Sequence, residues 1–496
     1  MKRNLFTAII MVAAFNMASA QNEDDVLKYS QTFISGTARS QGTAGAFGAV
    51  GADFSASVIN PAGLGLYRRN EVILGTAITA NSSSTKFLGT SSDDRRTNFN
   101  IPSWGFVATN VFSDMGQDAK QGLVSLSFAG GMNRVASYQS NVYFNGVNTQ
   151  SSILDYFKRD ANGNPVTSFG DLSYRNSPGA IAWGQYLLDT SGTVTNYTSL
   201  IDGVSGFRLR QAQQQNTRGG ANEYNISSGA NLGNIVYIGA GLVVTHAYSE
   251  RSTMFTETVL DNSVPDYTSV TFREHITSGG TGASGRFGII VRPLDFFRVG
   301  FAAQTASRMN MRDDYRYEMS SVNYANPSSY KPTTDDFIEY QVITPGKLTG
   351  SAAITIPSIG FVSVDYESVD YTKGKLKSNN FSFDAVNDRI SNTMKRAGNL
   401  RIGAEIKIAE YYRLRGGYAI YESPYKNTGG TNLDRQAISG GVGLLIDRVF
   451  VDLAIVNSYG KQFITPYTTG DASRLSPAAT NNYSIYNFVL SGGIRF

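Results

Sequence analysis

Cysteine is absent from this chain, and histidine and tryptophan occur only twice each in 496 residues. The lack of cysteine excludes a disulfide scaffold. A hydrolytic triad ordinarily needs a histidine. The two present, His246 and His275, lie in no Ser/His/Asn motif, so the sequence offers no enzyme and no catalytic residue. Unclustered histidines make no case for haem or a metal either, and no cofactor is expected. Formal charge is +4, with no strongly basic or acidic field to suggest nucleic-acid binding. Beyond the first twenty residues, no apolar run approaches the roughly 20 residues that carry a helix across a bilayer.

Those twenty residues read as an export signal. Lys2 and Arg3 precede an apolar stretch from Leu5 to Phe15, and Ala18-Ser19-Ala20 is a small-residue cleavage site. The mature chain is expected to start near Gln21. What the rest has in quantity is 28 tyrosines, 28 phenylalanines and 51 glycines, a composition suited to many strands, aromatic girdles and tight turns.

Period-2 alternation dominates the remainder. Leu400, Ile402, Ala404, Ile406 and Ile408 oppose Arg401, Gly403, Glu405 and Lys407. Tyr412, Leu414, Tyr418 and Ile420 oppose Arg413, Arg415 and Gly417, and Val362, Val364 and Tyr366 oppose Ser363, Asp365 and Glu367. Near the end, Val449, Val451, Leu453 and Ile455 oppose Phe450, Asp452 and Ala454. Soluble β-sandwiches alternate too. These strands, however, run to roughly ten residues, the length that a tilted membrane strand needs, and short and long connections take turns, as in outer-membrane barrels.

The pattern predicts fourteen strands, near 70–80, 101–110, 121–132, 223–231, 235–249, 269–291, 297–307, 337–355, 359–369, 397–408, 411–421, 436–446, 449–458 and 485–496. Short turns fall at 111–120, 232–234, 292–296, 356–358, 409–410 and 447–448. Long connections fall at 81–100, 133–222, 250–268, 308–336, 370–396, 422–435 and 459–484. Within 269–291, Gly279-Gly280 suggests a glycine-rich kink where a bulge is plausible. The expectation is an all-β, fourteen-stranded antiparallel transmembrane barrel over 70–496, with a long extracellular insert at 133–222. The last strand, with Phe488, Leu490, Ile494 and the terminal Phe496, has the form read by outer-membrane barrel-assembly machinery. Arg298, Asp365, Glu367, Arg401, Glu405, Lys407, Arg413, Arg415 and Asp452 would face the lumen. In the 397–421 hairpin, either Arg413 or Arg415 would stand opposite Glu405.

Residues 21–69 are different. Gln41 to Gly51 is rich in small residues, and Asp53 to Leu64 contains Asn60-Pro61-Ala62-Gly63. Small side chains pack tightly in a confined space, and Pro61 with Gly63 forces a turn. The stretch is too apolar for a solvated linker, so a plug within the lumen is expected. Its Ala-Gly-Ala-x-Gly-Ala and Ser-Val-x-Asn-Pro-Ala-Gly-Leu patterns resemble the hatch of the FadL/TodX family of outer-membrane transporters of hydrophobic compounds. Further matches are Arg298-Val299-Gly300-Phe301, Thr344-Pro345-Gly346-Lys347-Leu348-Thr349-Gly350-Ser351, Val364-Asp365-Tyr366-Glu367-Ser368-Val369-Asp370-Tyr371, Arg401-Ile402-Gly403-Ala404-Glu405 and Leu414-Arg415-Gly416-Gly417-Tyr418. They span the mature chain apart from the 133–222 insert.

The resemblance implies a bacterial outer-membrane channel for passive uptake of long-chain fatty acids or aromatic hydrocarbons. Its hatch residues would be Asn60, Pro61, Ala62 and Gly63, and hatch movement would link a pocket to an exit, often through a kinked wall strand. Phe47, Phe54, Val58, Ile59 and Leu64 would line that pocket, and Arg413 or Arg415 could meet a carboxylate. Ile153, Leu154, Tyr156 and Phe157, beside Asp155, Lys158 and Arg159, fit an amphipathic helix for capture among the outer loops. The expected partners are a hydrophobic ligand, outer-membrane lipid and the assembly machinery. The alternative is a barrel that carries no solute and serves as accessory subunit of a secretion or assembly complex.

Overall fold

Alternation becomes a closed wall in the structure, a computed structural model that describes residues 23–112, 122–170, 176–325, 329–332, 336–471 and 473–496. The export signal and most of the 111–120 turn, with Asp114 and Gly116, lie outside the described residues. One antiparallel sheet makes a fourteen-stranded barrel. It closes where Glu71–Phe87 pairs with Ala479–Arg495, from Glu71 opposite Arg495 to Lys86 opposite Thr480. Two wall strands are interrupted, Phe297–Gln304 continuing as Arg308–Asn323 and Asp336–Ile343 as Lys347–Ile356. Outward positions carry an apolar band that includes Ile226, Leu242, Phe287, Leu348, Val442 and Leu453. Exposed Phe296, Tyr411, Tyr412 and Phe496 form an aromatic rim at the end with the short turns, the usual border of a lipid-facing band. Among the described residues no helix is long and apolar enough to cross a membrane.

Several expected long connections are strand. Residues 81–100 form a hairpin, with Leu88 and Gly89 at positive φ between Glu71–Phe87 and Thr90–Asn100. Leu209–Leu232, Val236–Val259 and Tyr267–Leu294 run 24, 24 and 28 residues, more than twice what a bilayer requires. They absorb most of 250–268 and the end of the 133–222 insert, while Arg308–Asn323 takes up much of 308–336. Beyond the membrane the outward face of a strand need not be apolar, so the alternation fades although the ladder continues. Gly279-Gly280 is no bulge, since pairing passes both glycines without a shift on either side. Gly280 is instead small because a side chain there would collide with Met311 of the adjacent strand.

The wall has a break of another kind. Thr90–Asn100 and Ser103–Val111 are separated at Ile101-Pro102, where proline supplies no amide hydrogen to a ladder. Among the described residues, Thr90–Asn100 pairs only with Glu71–Phe87, and Ser140–Asn148 only with Leu209–Leu232. Side chains bridge the two free edges. Arg96 donates to Gln139 Oε1 (2.7 Å) and Asn141 Oδ1 (3.1 Å), and from the strand behind, Ser83 Oγ donates to the Asn141 carbonyl (2.6 Å).

At the long-connection end, the helices Ile153–Ala161 and Pro178–Gly184 pack over the barrel around a core that includes Leu154, Phe157, Ile181, Phe255, Phe272 and Tyr317. Ser152 and Asp155 make a capping box at the first helix. Inside the barrel lies the N-terminal segment. A helix, Glu23–Ser30, packs near the long-connection end against the helix Asp384–Thr393 in a cluster with Met309, Ile338 and Tyr340. The chain then descends through the lumen and enters the wall at Glu71.

Candidate functional site

The N-terminal segment is seated on glycines. A side chain at Gly239 would strike the Pro61–Ala62 backbone, and one at Gly288 would strike Asn60. Side chains at Gly403 and Gly417 would meet Thr43 and Ala44. Removing those Cβ atoms brings wall backbone against segment backbone, and polar groups on both sides are then matched. Asp365 Oδ2 accepts the amides of Phe47 (3.1 Å) and Gly48 (3.0 Å). Ser439 Oγ accepts the amide of Ala44 (2.9 Å) and donates to the carbonyl of Gly42 (3.1 Å). Asn60 begins the 3-10 turn Pro61–Leu66, taking the amide of Ala62 (3.1 Å) and donating to the carbonyl of Gly48 (2.7 Å). Proline follows it, its fixed φ suited to a first helical position. Asn60, Pro61, Ala62 and Gly63 are all buried against the wall.

The expected lumen charges separate into groups. Arg39 of the segment holds Glu405 (2.9 Å), Glu405 holds Arg415 (2.7 Å) and Arg415 holds Asp452 (2.6 Å). Register places Glu405 opposite Arg415, and Arg413 opposite Lys407. Arg415 is therefore committed to two carboxylates. Arg413 lies toward the short-turn end, where it lines the same cavity as Arg415. Arg401 lies higher, 3.8 Å from Glu367 and 4.0 Å from Asp365.

Of the five expected pocket residues, two reach the luminal cavity and three do not. Phe54 is wedged against Gly105 and Gly131, Phe47 packs edge-on to Phe361, and Leu64 lies on Gly229. These three are fully buried in the seam between segment and wall. Val58 and Ile59 face a cavity of 50 Å³, together with Phe33, Ile34, Val135, Ala302 and Ala303. Its charged lining is Arg286, Lys347, Glu367 and Arg401. Arg286 is paired with Glu223 at 2.7 Å, and Lys347 Nζ donates to Thr32 Oγ1 at 2.6 Å. Sequence reasoning passed over Thr32–Ser35, Arg286 and Glu223. Lys347 lies within the Thr344–Ser351 resemblance, which assigns it no role. Alternation places Arg286 inward, but only strand register brings it beside Lys347.

The same Phe33-Ile34-Ser35 stretch and Val135 wall off a second cavity, of 80 Å³, which touches Asn100, Pro102, Arg134 and Gln139. This cavity backs onto the break in the ladder. On the far side of the N-terminal helix a third cavity, of 770 Å³, opens among the long connections. Tyr156, Phe255, Phe272, Tyr315 and Tyr317 line it, with Glu23 and Asp24 at its floor. The expected capture helix thus divides its side chains. Ile153 and Tyr156 touch the cavity, while Leu154 and Phe157 are buried in the cap. Among the described residues, no group of three metal-ligating side chains converges.

No family model matches the sequence, and no curated protein does. Solved structures do match. The Pseudomonas putida toluene transporter TodX superposes with a TM-score of 0.53 at 13% identity, covering 94% of this chain and 99% of that one. A Pseudomonas aeruginosa FadL homologue gives 0.54 at 11%, covering 94% and 100%. The Ralstonia pickettii toluene transporter TbuX gives 0.51 at 15%, covering 94% and 99%.

Proposed function

Since the chain folds as a FadL/TodX-type barrel, we propose that it is a passive channel of the bacterial outer membrane for hydrophobic solutes that carry a carboxylate, of the fatty-acid kind. On this reading the short turns face the periplasm and the long connections face outward. The single observation that carries the choice of solute is the luminal cavity. Phe33, Ile34, Val58 and Ile59 give it an apolar side, and Lys347 offers an ammonium whose hydrogen bond goes to a neutral hydroxyl of the sealing segment. A carboxylate is a stronger acceptor than that hydroxyl. An uncharged hydrocarbon such as toluene would gain nothing from Lys347.

The channel is closed as it stands. A cavity of 50 Å³ is far below the roughly 300–1,000 Å³ of ordinary ligand pockets. Opening consists of withdrawing Thr32–Ser35. That motion merges the luminal cavity with the one behind Pro102, because the same residues divide them. A solute captured in the outer aromatic cavity would pass the N-terminal helix, settle with its carboxylate on Lys347 and leave through the wall where no ladder holds the edges. Every step is diffusion down a gradient.

The test uses purified mature protein in nonionic detergent and a fluorescent C16 carboxylate. Saturable binding is expected, weakened about tenfold by Lys347→Met and abolished by Ile59→Asp. Toluene should compete equally well against wild type and Lys347→Met. Binding that ignores both substitutions would overturn the assignment. A correctly folded barrel that binds neither probe would favour the accessory-subunit reading, with which a filled lumen also agrees.

A further inference from the structure

A cavity of 380 Å³ at the short-turn end is not used by the path above. Its inner cations are neutralised. Arg39 and Arg415 share Glu405 and Asp452, and Arg495 lies 2.8 Å from Glu71. Its outer cations are not. Among the described residues Arg69 and Arg413 have neither a hydrogen-bond nor an ion-pair partner, and Lys407 donates only to the carbonyl of Pro357. The only other carboxylate in the lining is Asp447.

The placement of two of these cations is costly. Lys407 and Arg413 stand directly opposite one another on paired strands, where like charges destabilise the sheet. Both are half-buried, which limits relief by water. Leu66, Leu445 and Phe450 supply an apolar floor beside them. An anion with an attached hydrocarbon would satisfy both halves of this lining.

We propose that this vestibule is a binding site for the oxyanion headgroup of a single-chain amphiphile, held by Arg69, Lys407 and Arg413 with its first carbons on Leu66, Leu445 and Phe450. It rests on the proposed channel only for the side of the membrane it faces. Such an amphiphile has two sources, a solute in the periplasm or a charged lipid of the adjoining leaflet.

Binding of decanoate, decyl phosphate and decanol to the mature protein in nonionic detergent tests it, by calorimetry. Both anions should bind, and decanol should bind at least about tenfold more weakly. The double variant Arg413→Gln/Lys407→Gln should lose about tenfold in anion affinity or more, as should wild type in high salt. Lys347→Met should leave this site unchanged, so failure of the luminal assignment and failure of this one are told apart. Heat-modifiable migration checks that each variant is folded. In nanodiscs, competition from an anionic lipid but not a zwitterionic one identifies the leaflet as a source, and its absence leaves the periplasmic solute. Equal affinity for decanol and decanoate, or anion binding unaltered in the folded double variant, would overturn the proposal.

Discussion

Two of the cavities that border the N-terminal segment are opposites. The luminal one is nearly filled, and its charges balance. Arg286, Lys347 and Arg401 stand among Glu223, Glu367 and Asp365. The vestibule at the short-turn end is open and unbalanced, with Lys407 and Arg413 side by side. Balance suits a site that must stay shut with nothing bound, because buried charges without partners are expensive. Imbalance is tolerable only near water, and it attracts counter-charge from outside. The segment separating the two confines one and leaves the other exposed.

The largest expected effect comes from unbalancing the luminal site. Asp365→Ala removes the acceptor of two segment amides and one of two carboxylates near Arg401. A loss of about 3–5 kcal/mol is expected for breaking such a buried charge cluster. It would be read as a lower temperature for the folded-to-unfolded shift in gel migration, with partial recovery in Asp365→Asn. An unchanged midpoint would mean that the luminal charges do not hold the segment.

A smaller change weakens the partition itself. Asn60→Ala deletes the turn cap and the bond to Gly48, costing about 1–2 kcal/mol. The barrel should assemble normally while the segment becomes cleavable by protease, and the two cavities should lose their separation. Resistance equal to wild type would show that the glycine seam alone is sufficient.

The smallest effect sharpens the seal from above. Burial pushes the Lys28 ammonium down to about 8 from its ordinary 10.5, although the faces of Tyr29 and Tyr138 lie near 5 Å from it and favour the cation. A lysine whose value is lowered on docking stabilises the docked state above its ordinary value and loses that contribution as pH falls through about 8. The helix Glu23–Ser30 should therefore sit more firmly at pH 10 than at pH 7. With no native cysteine, a single fluorophore at Gln31→Cys reports this. Lys28→Met should flatten the dependence, and a slope retained in that variant would assign it to another group.

Much of this architecture was legible in the sequence because one face of each membrane strand is apolar. All fourteen wall strands announced themselves that way. Their upper extensions did not, since Asn81–Lys86 is polar on both faces and Thr253–Thr258 offers only Phe255 to the cap core. Inward orientation of Arg413 was legible too, but its height along the barrel was not. Alternation reports the face of a strand and carries no information about depth. Thr32–Ser35 gave no signal at all, because its role is set by what the wall strands bring around it. The Asn60-Pro61-Ala62-Gly63 turn was conspicuous because a cap, a fixed φ and a small residue are local requirements.

The glycine seam also bears on how the molecule is put together. Asn60 and Pro61 occupy space that wall side chains would otherwise fill, so segment and wall fit each other only in this one seating. The segment is therefore expected to be in place before the first and last strands meet. The segment touches both sides of that junction. The Ala38 amide bonds Ser491 Oγ across 453 positions (2.8 Å), Asn487 donates to Gln41 (2.8 Å), and Ala38 packs with Ala77 and Val489. Bringing chain ends together carries an entropic cost. A segment continuous with the first strand and bonded to the last lowers it by holding the two edges near each other. The plug of the finished barrel would then be, during biogenesis, the former around which the cylinder is closed.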